Sequence, residues 1–281
     1  MDCTNGQVAF ITGGASGIGL GVAKCLAREG MSIALADIEE QALTKAADDI
    51  KAAGGDVVPF VVDVADRAAM AATRDAILDR FGKVNLIFNN AGVNAAAPID
   101  QLTYADWDWV LGVNLNGVIN GVMTFVTDLK AQAPAAHIIN TASVGGLVGM
   151  PTLATYNTAK FGVVGLSEAL RADLNEAGVG VSVLCPGLVK TNLSTSERNR
   201  PGNEDKAIDQ PENDPLSQGM SPDQLAEAVL AGVRNRDFFL CTHPEFRDVI
   251  KQRNDAVNAA FKGDATPEAK AMMRAMVLPF D

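Results

Sequence analysis

Short runs of β-branched and other apolar residues recur along the chain at 7–12, 32–36, 57–62, 84–89, 137–141, 179–185 and 238–241. Longer stretches with apolar residues at helical spacing lie between them, clearest at 18–29, 39–53, 66–81 and 154–177. Apolar strands separated by helical crossovers predict a parallel sheet with helices on both faces. Seven strands in this rhythm fill most of the chain, so one doubly wound α/β domain over 1–281 is expected.

Several helix starts are legible. Thr103-Tyr104-Ala105-Asp106 is a capping box with Asp in place of Glu, and Ser221-Pro222 and Thr266-Pro267 each set a hydroxyl before a proline. The alternation breaks at 190–220, which is polar and rich in Pro, Gly, Asn and Asp. A loop this long in a compact domain commonly serves as a lid, and its rival reading is a surface insertion. A substrate loop at about 188–220 and an extension at about 243–281 are therefore expected.

Composition narrows the function classes. Hydrophobic residues are 48% of the 281 positions, enough for a large core, and the net charge is −11. A surface this acidic disfavours nucleic acid and anionic lipid as partners. No uninterrupted apolar run is long enough for a membrane span, and no basic segment leads into an apolar one at the start, so a cytoplasmic location is expected. The four cysteines form no C-x-x-C pair and read as reduced thiols. With only His137 and His243 available, a His/Cys metal site is hard to assemble, and none is expected.

The first predicted strand leads into Thr12-Gly13-Gly14-Ala15-Ser16-Gly17-Ile18-Gly19. Glycines between a strand and a helix allow a tight turn, and the helix start offers free N–H groups to a pyrophosphate. Asp37 follows Gly19 at the end of the second strand, where an acid can accept hydrogen bonds from both adenosine ribose hydroxyls. It would repel a 2′-phosphate, and no Arg or Lys stands at Ala15, Ser16 or Ile38 to receive one. NAD is thus expected over NADP. Further along, Tyr156 and Lys160 lie four apart on a helical stretch and so share one face. A neighbouring ammonium lowers a phenol's pKa toward the range of a general base.

Taken together, these motifs resemble the short-chain dehydrogenase/reductase family in its non-extended form. They are T-G-x-x-x-G-I-G at 12–19, N-N-A-G at 89–92, Asn114, Ser143, Tyr156 with Lys160, and Pro186-Gly187, in the family's order from about 7 to 241. The resemblance implies a Rossmann fold and a homodimer or homotetramer. It implies that Tyr156 takes the proton of an alcohol, that Ser143 orients the same oxygen, that Lys160 tunes Tyr156 and binds the nicotinamide ribose, and that Asn114 holds a relay water. It implies that Gly13, Ser16, Gly17, Ile18, Gly19, Asp37 and Ile38 bind the adenosine and phosphate parts of NAD. Asp63 and Val64 are expected at the adenine, and Asn90, Ala91 and Gly92 along the adenosine side. Pro186, Gly187, Val189 and Thr191 are expected at the nicotinamide end.

The segments 93–98, 144–155 and 188–220 vary in this family and set specificity. Val93, Val144, Leu147, Met150 and Leu153 are apolar, which favours a bulky aromatic or otherwise apolar secondary alcohol and its ketone. The stretches 103–109, 196–201 and 242–245 resemble the Cα-dehydrogenases that oxidise benzylic alcohols of lignin-derived aryl ethers. Hydroxysteroid dehydrogenases and 3-oxoacyl-carrier-protein reductases are the enzymatic alternatives, and a dinucleotide-sensing regulator is the non-enzymatic one. The tail at 265–281, with Met272, Met273, Met276, Val277, Leu278 and Phe280, is expected to pack on a neighbouring subunit, over the substrate mouth, or on its own domain.

Overall fold

A computed structural model describes residues 1–203 and 212–278 of the chain. Seven parallel strands form one sheet in the order β3-β2-β1-β4-β5-β6-β7. They are β1 (Val8–Thr12), β2 (Ser32–Asp37), β3 (Val57–Val61), β4 (Leu86–Asn89), β5 (His137–Thr141), β6 (Gly180–Leu184) and β7 (Phe239–Leu240). The order reverses direction between β1 and β4, which opens a crevice beyond their carboxyl ends. All five residues of β1, β5 and β6 are buried, as expected where helices cover both faces.

The helices divide between the two faces. On one side α1 (Gly17–Arg28), α2 (Glu40–Ala52) and α7 (Pro222–Asn235) pack a core that includes Ile33, Leu35, Leu43 and Leu225. On the other, α3 (Arg67–Phe81) and α5 (Gly117–Ala131) pack with Phe10, Ile87 and Phe125. The long α6 (Ala154–Leu174) sits beside α5 through Val118, Val163 and Val164. Helix α4 (Tyr104–Leu111) starts at the Thr103–Asp106 capping box, with both reciprocal bonds present. It runs through a π-helical turn, Gly112–Asn116, into α5. The joined stretch Tyr104–Ala131 is long and apolar enough to cross a membrane by length and composition. Its Val118, Val122, Phe125 and Leu129 are buried in the sheet's core, which accounts for that apolar character.

The expected loop at 188–220 has local order. It contains 3-10 segments at Leu193–Asn199 and Pro215–Gln218, and Val189 pairs with Met220 where the loop returns. The part at 204–211 lies outside the described residues. The extension forms α8 (Arg247–Ala260) and α9 (Pro267–Met276), with Met272, Met273 and Met276 exposed. Phe280 lies outside the described residues.

Helix α5 approaches β4 closely because Gly121 has no side chain. A Cβ there would stand 2.0 Å from Asn89 Oδ1, whose amide Nδ2 donates to Asn140 Oδ1 at 2.9 Å. Gly121→Ala is expected to destabilise the fold by about 1–3 kcal/mol through overpacking, measured by urea unfolding. An unchanged midpoint would contradict this packing.

Candidate active site

The turn after β1 is shaped by close backbone contacts. Gly13 has φ +64° and Gly17 has φ +52°, both in the region that favours glycine. A Cβ on Gly19 would lie 2.1 Å from the Gly13 carbonyl oxygen. Ser16 precedes α1 without a side-chain capping bond, so the first amides of that helix are left for a ligand. Thr12 Oγ1 fixes the turn against β4, accepting from the N–H groups of Asn90 at 2.9 Å and Ala91 at 3.1 Å. In return, Asn90 Nδ2 donates to the Thr12 carbonyl at 3.1 Å.

Asp37 closes the outer end of this turn. Its Oδ2 accepts from Ala15 N–H at 2.9 Å and its Oδ1 from Glu39 N–H at 3.1 Å. Burial pushes its carboxyl above the ordinary range, against the pull of those two N–H bonds. Glu39 beside it is held by the loop. Arg198 reaches both Glu39 oxygens, at 2.5 and 3.3 Å, and Asn199 Nδ2 donates at 2.9 Å. Burial alone would raise the Glu39 carboxyl, but these bonds and the Arg198 charge outweigh it and hold it low. The loop crosses to the far side of the cleft as a strap. Ser196 Oγ accepts from Asn94 N–H at 2.9 Å, and Arg200 pairs with Asp106 at 2.6 Å while lying 5.3 Å from the Trp109 ring centre.

The other end of the cleft holds the phenol and the amine. Tyr156 and Lys160 project from one face of α6, with Nζ 5.5 Å from the centre of the Tyr156 ring. Lys160 is buried and donates to the Thr141 carbonyl at 2.8 Å. Burial lowers its pKa to about 8, with a small opposing effect of Cys185. The sequence expectation for Tyr156 is a lowered pKa, and the structure differs. Burial pushes the phenol above 10, and a hydrogen bond from Ser143 pulls only partly back. Ser143 Oγ also accepts from Gly145 N–H at 3.1 Å, which fixes its rotamer at the end of β5.

These groups share one cleft of about 570 Å³. Its wall includes Gly13, Ser16, Gly17, Ile18, Asp37 and Ile38 from the first two βα turns. Asp63, Val64, Asn90, Ala91 and Gly92 follow along its length, and Pro186, Gly187, Val189 and Thr191 close the side opposite. Ser143, Tyr156 and Lys160 stand at its inner end. Gly19 lies behind the wall. Asn114 is fully buried within the π turn, with Oδ1 accepting from Val93 N–H and Nδ2 donating to the Val93 carbonyl, both at 2.8 Å. Of the apolar positions expected at the substrate, Val93 lines the cleft, whereas Val144, Leu147, Met150 and Leu153 are not in its wall. Trp109 and Val113 are, and sequence reasoning did not place them there; Leu193, Arg198, Arg200 and Leu216 also line it, from the expected substrate loop at 188–220, without having been singled out. The polar break at 190–220 was the available signal, but it does not reveal which residues turn inward. A glycine turn with no room for a Cβ, uncapped helix amides and a half-buried acid at the end of β2 together fit NAD.

Comparisons with known proteins agree with this geometry. The short chain dehydrogenase family model matches residues 7–202. The C alpha-dehydrogenase of Sphingobium sp. strain NBRC 103272 / SYK-6 is 37% identical over 259 residues, covering 89% of this chain and 85% of that protein. A short chain dehydrogenase/reductase from Burkholderia phymatum, solved in complex with NAD, superimposes with a TM-score of 0.85 at 36% identity, covering 95% of this chain and 99% of that one. The apo form of LigD from Sphingobium sp. strain SYK-6 gives 0.80 at 34% identity, covering 92% and 99%.

The strap's catch depends on the Glu39 charge. A carboxyl held low in the folded chain contributes fully above its ordinary value of 4.5, and that contribution fades as pH falls through the depressed value. Glu39→Gln is expected to speed limited proteolysis within 193–203 about fivefold at neutral pH. Wild type should approach the variant's rate only in acid. Equal rates at neutral pH would show that the pair does not hold the strap.

Proposed function

The chain belongs to the short chain dehydrogenase family, and from that premise we propose that it oxidises a bulky, apolar or aromatic secondary alcohol to its ketone with NAD, using Tyr156 as general base. The observation that carries this reading is the convergence of Tyr156, Ser143 and Lys160 on the cleft that also receives Gly13 and Asp37. When bound, NAD supplies the hydride-accepting nicotinamide and, in its oxidised form, a positive ring charge.

The chain's own groups account for the rest. The free amides at the start of α1 take the pyrophosphate, and Asp37 takes the adenosine ribose hydroxyls. Ile18 and Ile38 flank the adenosine, Asp63 and Val64 meet the adenine, and the 90–92 segment lines its side. Pro186, Gly187, Val189 and Thr191 hold the nicotinamide end. Ser143 donates to the substrate oxygen and orients it. With NAD bound, Tyr156 would be favoured as phenolate by the positive ring and the Lys160 ammonium, and would accept the hydroxyl proton as the carbinol hydrogen leaves with its electron pair for the nicotinamide. Lys160 binds the adjoining ribose and can pass the proton on, since burial brings its pKa down to about 8. The Asn114 amide is committed to Val93, so a relay water there would use its main-chain carbonyl or the second lone pair of Oδ1.

The substrate class is supported by Val93, Trp109, Val113 and Leu216 in the cleft wall, and by the 37% identity to a C alpha-dehydrogenase. An aromatic substrate ring would pack against the Trp109 indole, which lies 5.3 Å from the Arg200 guanidinium. Assembly through α4, α5 and α6 is supported by the exposed Tyr104 and Met123.

Tyr156→Phe keeps the ring and removes the base. It is expected to lower kcat/KM at least about 100-fold while NADH affinity stays within about twofold. Turnover that survives the substitution would refute Tyr156 as the base.

A further inference from the structure

His243 follows the short last strand β7 and lies buried beneath the segment that leads from β6 into the cleft. Both ring nitrogens meet backbone. The Gly187 N–H donates to Nδ1 at 2.9 Å, and Nε2 lies 2.9 Å from the Leu188 carbonyl oxygen. A carbonyl only accepts, so Nε2 carries the proton and Nδ1 is the bare acceptor. The two peptide groups thus select one neutral tautomer. The Thr242 hydroxyl stands 2.9 Å from the same Nδ1.

The fit on the segment is close. A Cβ on Gly187 would lie 2.8 Å from both His243 Cγ and Phe246 Cε2. The Leu188 carbonyl accepts a second bond, from Met220 N–H at 2.9 Å, where the strap returns. Lys190 N–H in turn donates to the Met220 carbonyl at 3.0 Å. The backbone of 187–190 is therefore gripped from beneath by an imidazole and from the side by the strap. Gly187 and Val189 line the cleft, whereas His243 does not.

We infer that His243 is a positioning residue that orients the 187–189 backbone toward the nicotinamide end of the cofactor. This rests on the reading that 186–191 holds that end. His243 stands outside the cleft wall and acts through one N–H and one C=O. A packing role would need only the bulk of the ring, whereas positioning needs both nitrogens. Phenylalanine keeps the bulk, takes the acceptor from the half-buried Gly187 N–H and leaves the Leu188 carbonyl with the Met220 N–H alone. Asparagine returns an acceptor near Nδ1, and glutamine returns a donor near Nε2.

The test is a fluorescence titration of NADH against wild type, His243→Phe, His243→Asn and His243→Gln, with KM measured for NAD and for the alcohol. The Phe variant is expected to bind NADH about tenfold more weakly, with the alcohol KM changed less than about twofold. Asn and Gln should each recover part of the loss. Nitrogen-15 spectra of wild type, with only two histidines to assign, should show His243 protonated at Nε2, a result that does not depend on any variant folding. NADH affinity unchanged by Phe, no recovery by Asn or Gln, or a proton on Nδ1 would each overturn the inference. Hydrogen exchange of wild type separates it from its premise. If NADH fails to protect the 187–191 amides, the placement of the nicotinamide end falls with it. If NADH protects them but the Phe variant binds normally, the positioning role alone falls.

Discussion

One chain of hydrogen bonds ties the phosphate turn to the buried amine, and the site depends on it. Thr12 at the end of β1 receives the Asn90 amide on its carbonyl, at 3.1 Å. Asn90 Oδ1 accepts from Thr141 Oγ1 at 3.3 Å, and the Thr141 carbonyl accepts from Lys160 Nζ at 2.8 Å. The carboxyl ends of β1, β4 and β5 and the second turn of α6 are thereby set at fixed spacings. Each donor in this chain is buried or half-buried, so leaving any of them unpaired would be costly. A dinucleotide needs this kind of preset distance, because its two ends must be held at once.

The lysine is the most demanding member. An ammonium this deeply buried is destabilised, and its lowered pKa reports that cost. The same low-polarity surroundings raise the phenol beside it. Both shifts draw the two groups toward their neutral forms, which suits a site that must move a proton rather than hold a permanent ion pair. The positive ring of the oxidised cofactor is the charge that would favour the phenolate here.

Much of this was legible in the sequence because it is local. The seven strands fall within a few residues of the expected runs, since a sheet covered on both faces demands unbroken apolar segments. The glycine turn, Asp37 and the Tyr156–Lys160 face follow from spacing along one strand, turn or helix. The membership suggested by those motifs is borne out by the family match over 7–202. The strap was not legible, because its contacts join distant positions. Arg198 meets Glu39 across 159 residues, and Ser196 meets Asn94 across 102. No cation stands at Ala15, Ser16 or Ile38, yet the strap brings Arg198 to Glu39, two residues beyond Asp37, and the two charges pair. The apolar positions of 144–155 read as a substrate wall from composition, but their inward or outward orientation depends on a turn that periodicity does not describe.

The proposed reaction has an apolar secondary alcohol delivering hydride to NAD within this cleft. It is tested most directly by incubating the protein with NAD and a benzylic secondary alcohol carrying deuterium on its carbinol carbon. Deuterium recovered on the nicotinamide ring of the product NADH, one atom for each ketone formed, is the predicted result. Ketone formed with no label on the cofactor would rule out direct hydride transfer to NAD.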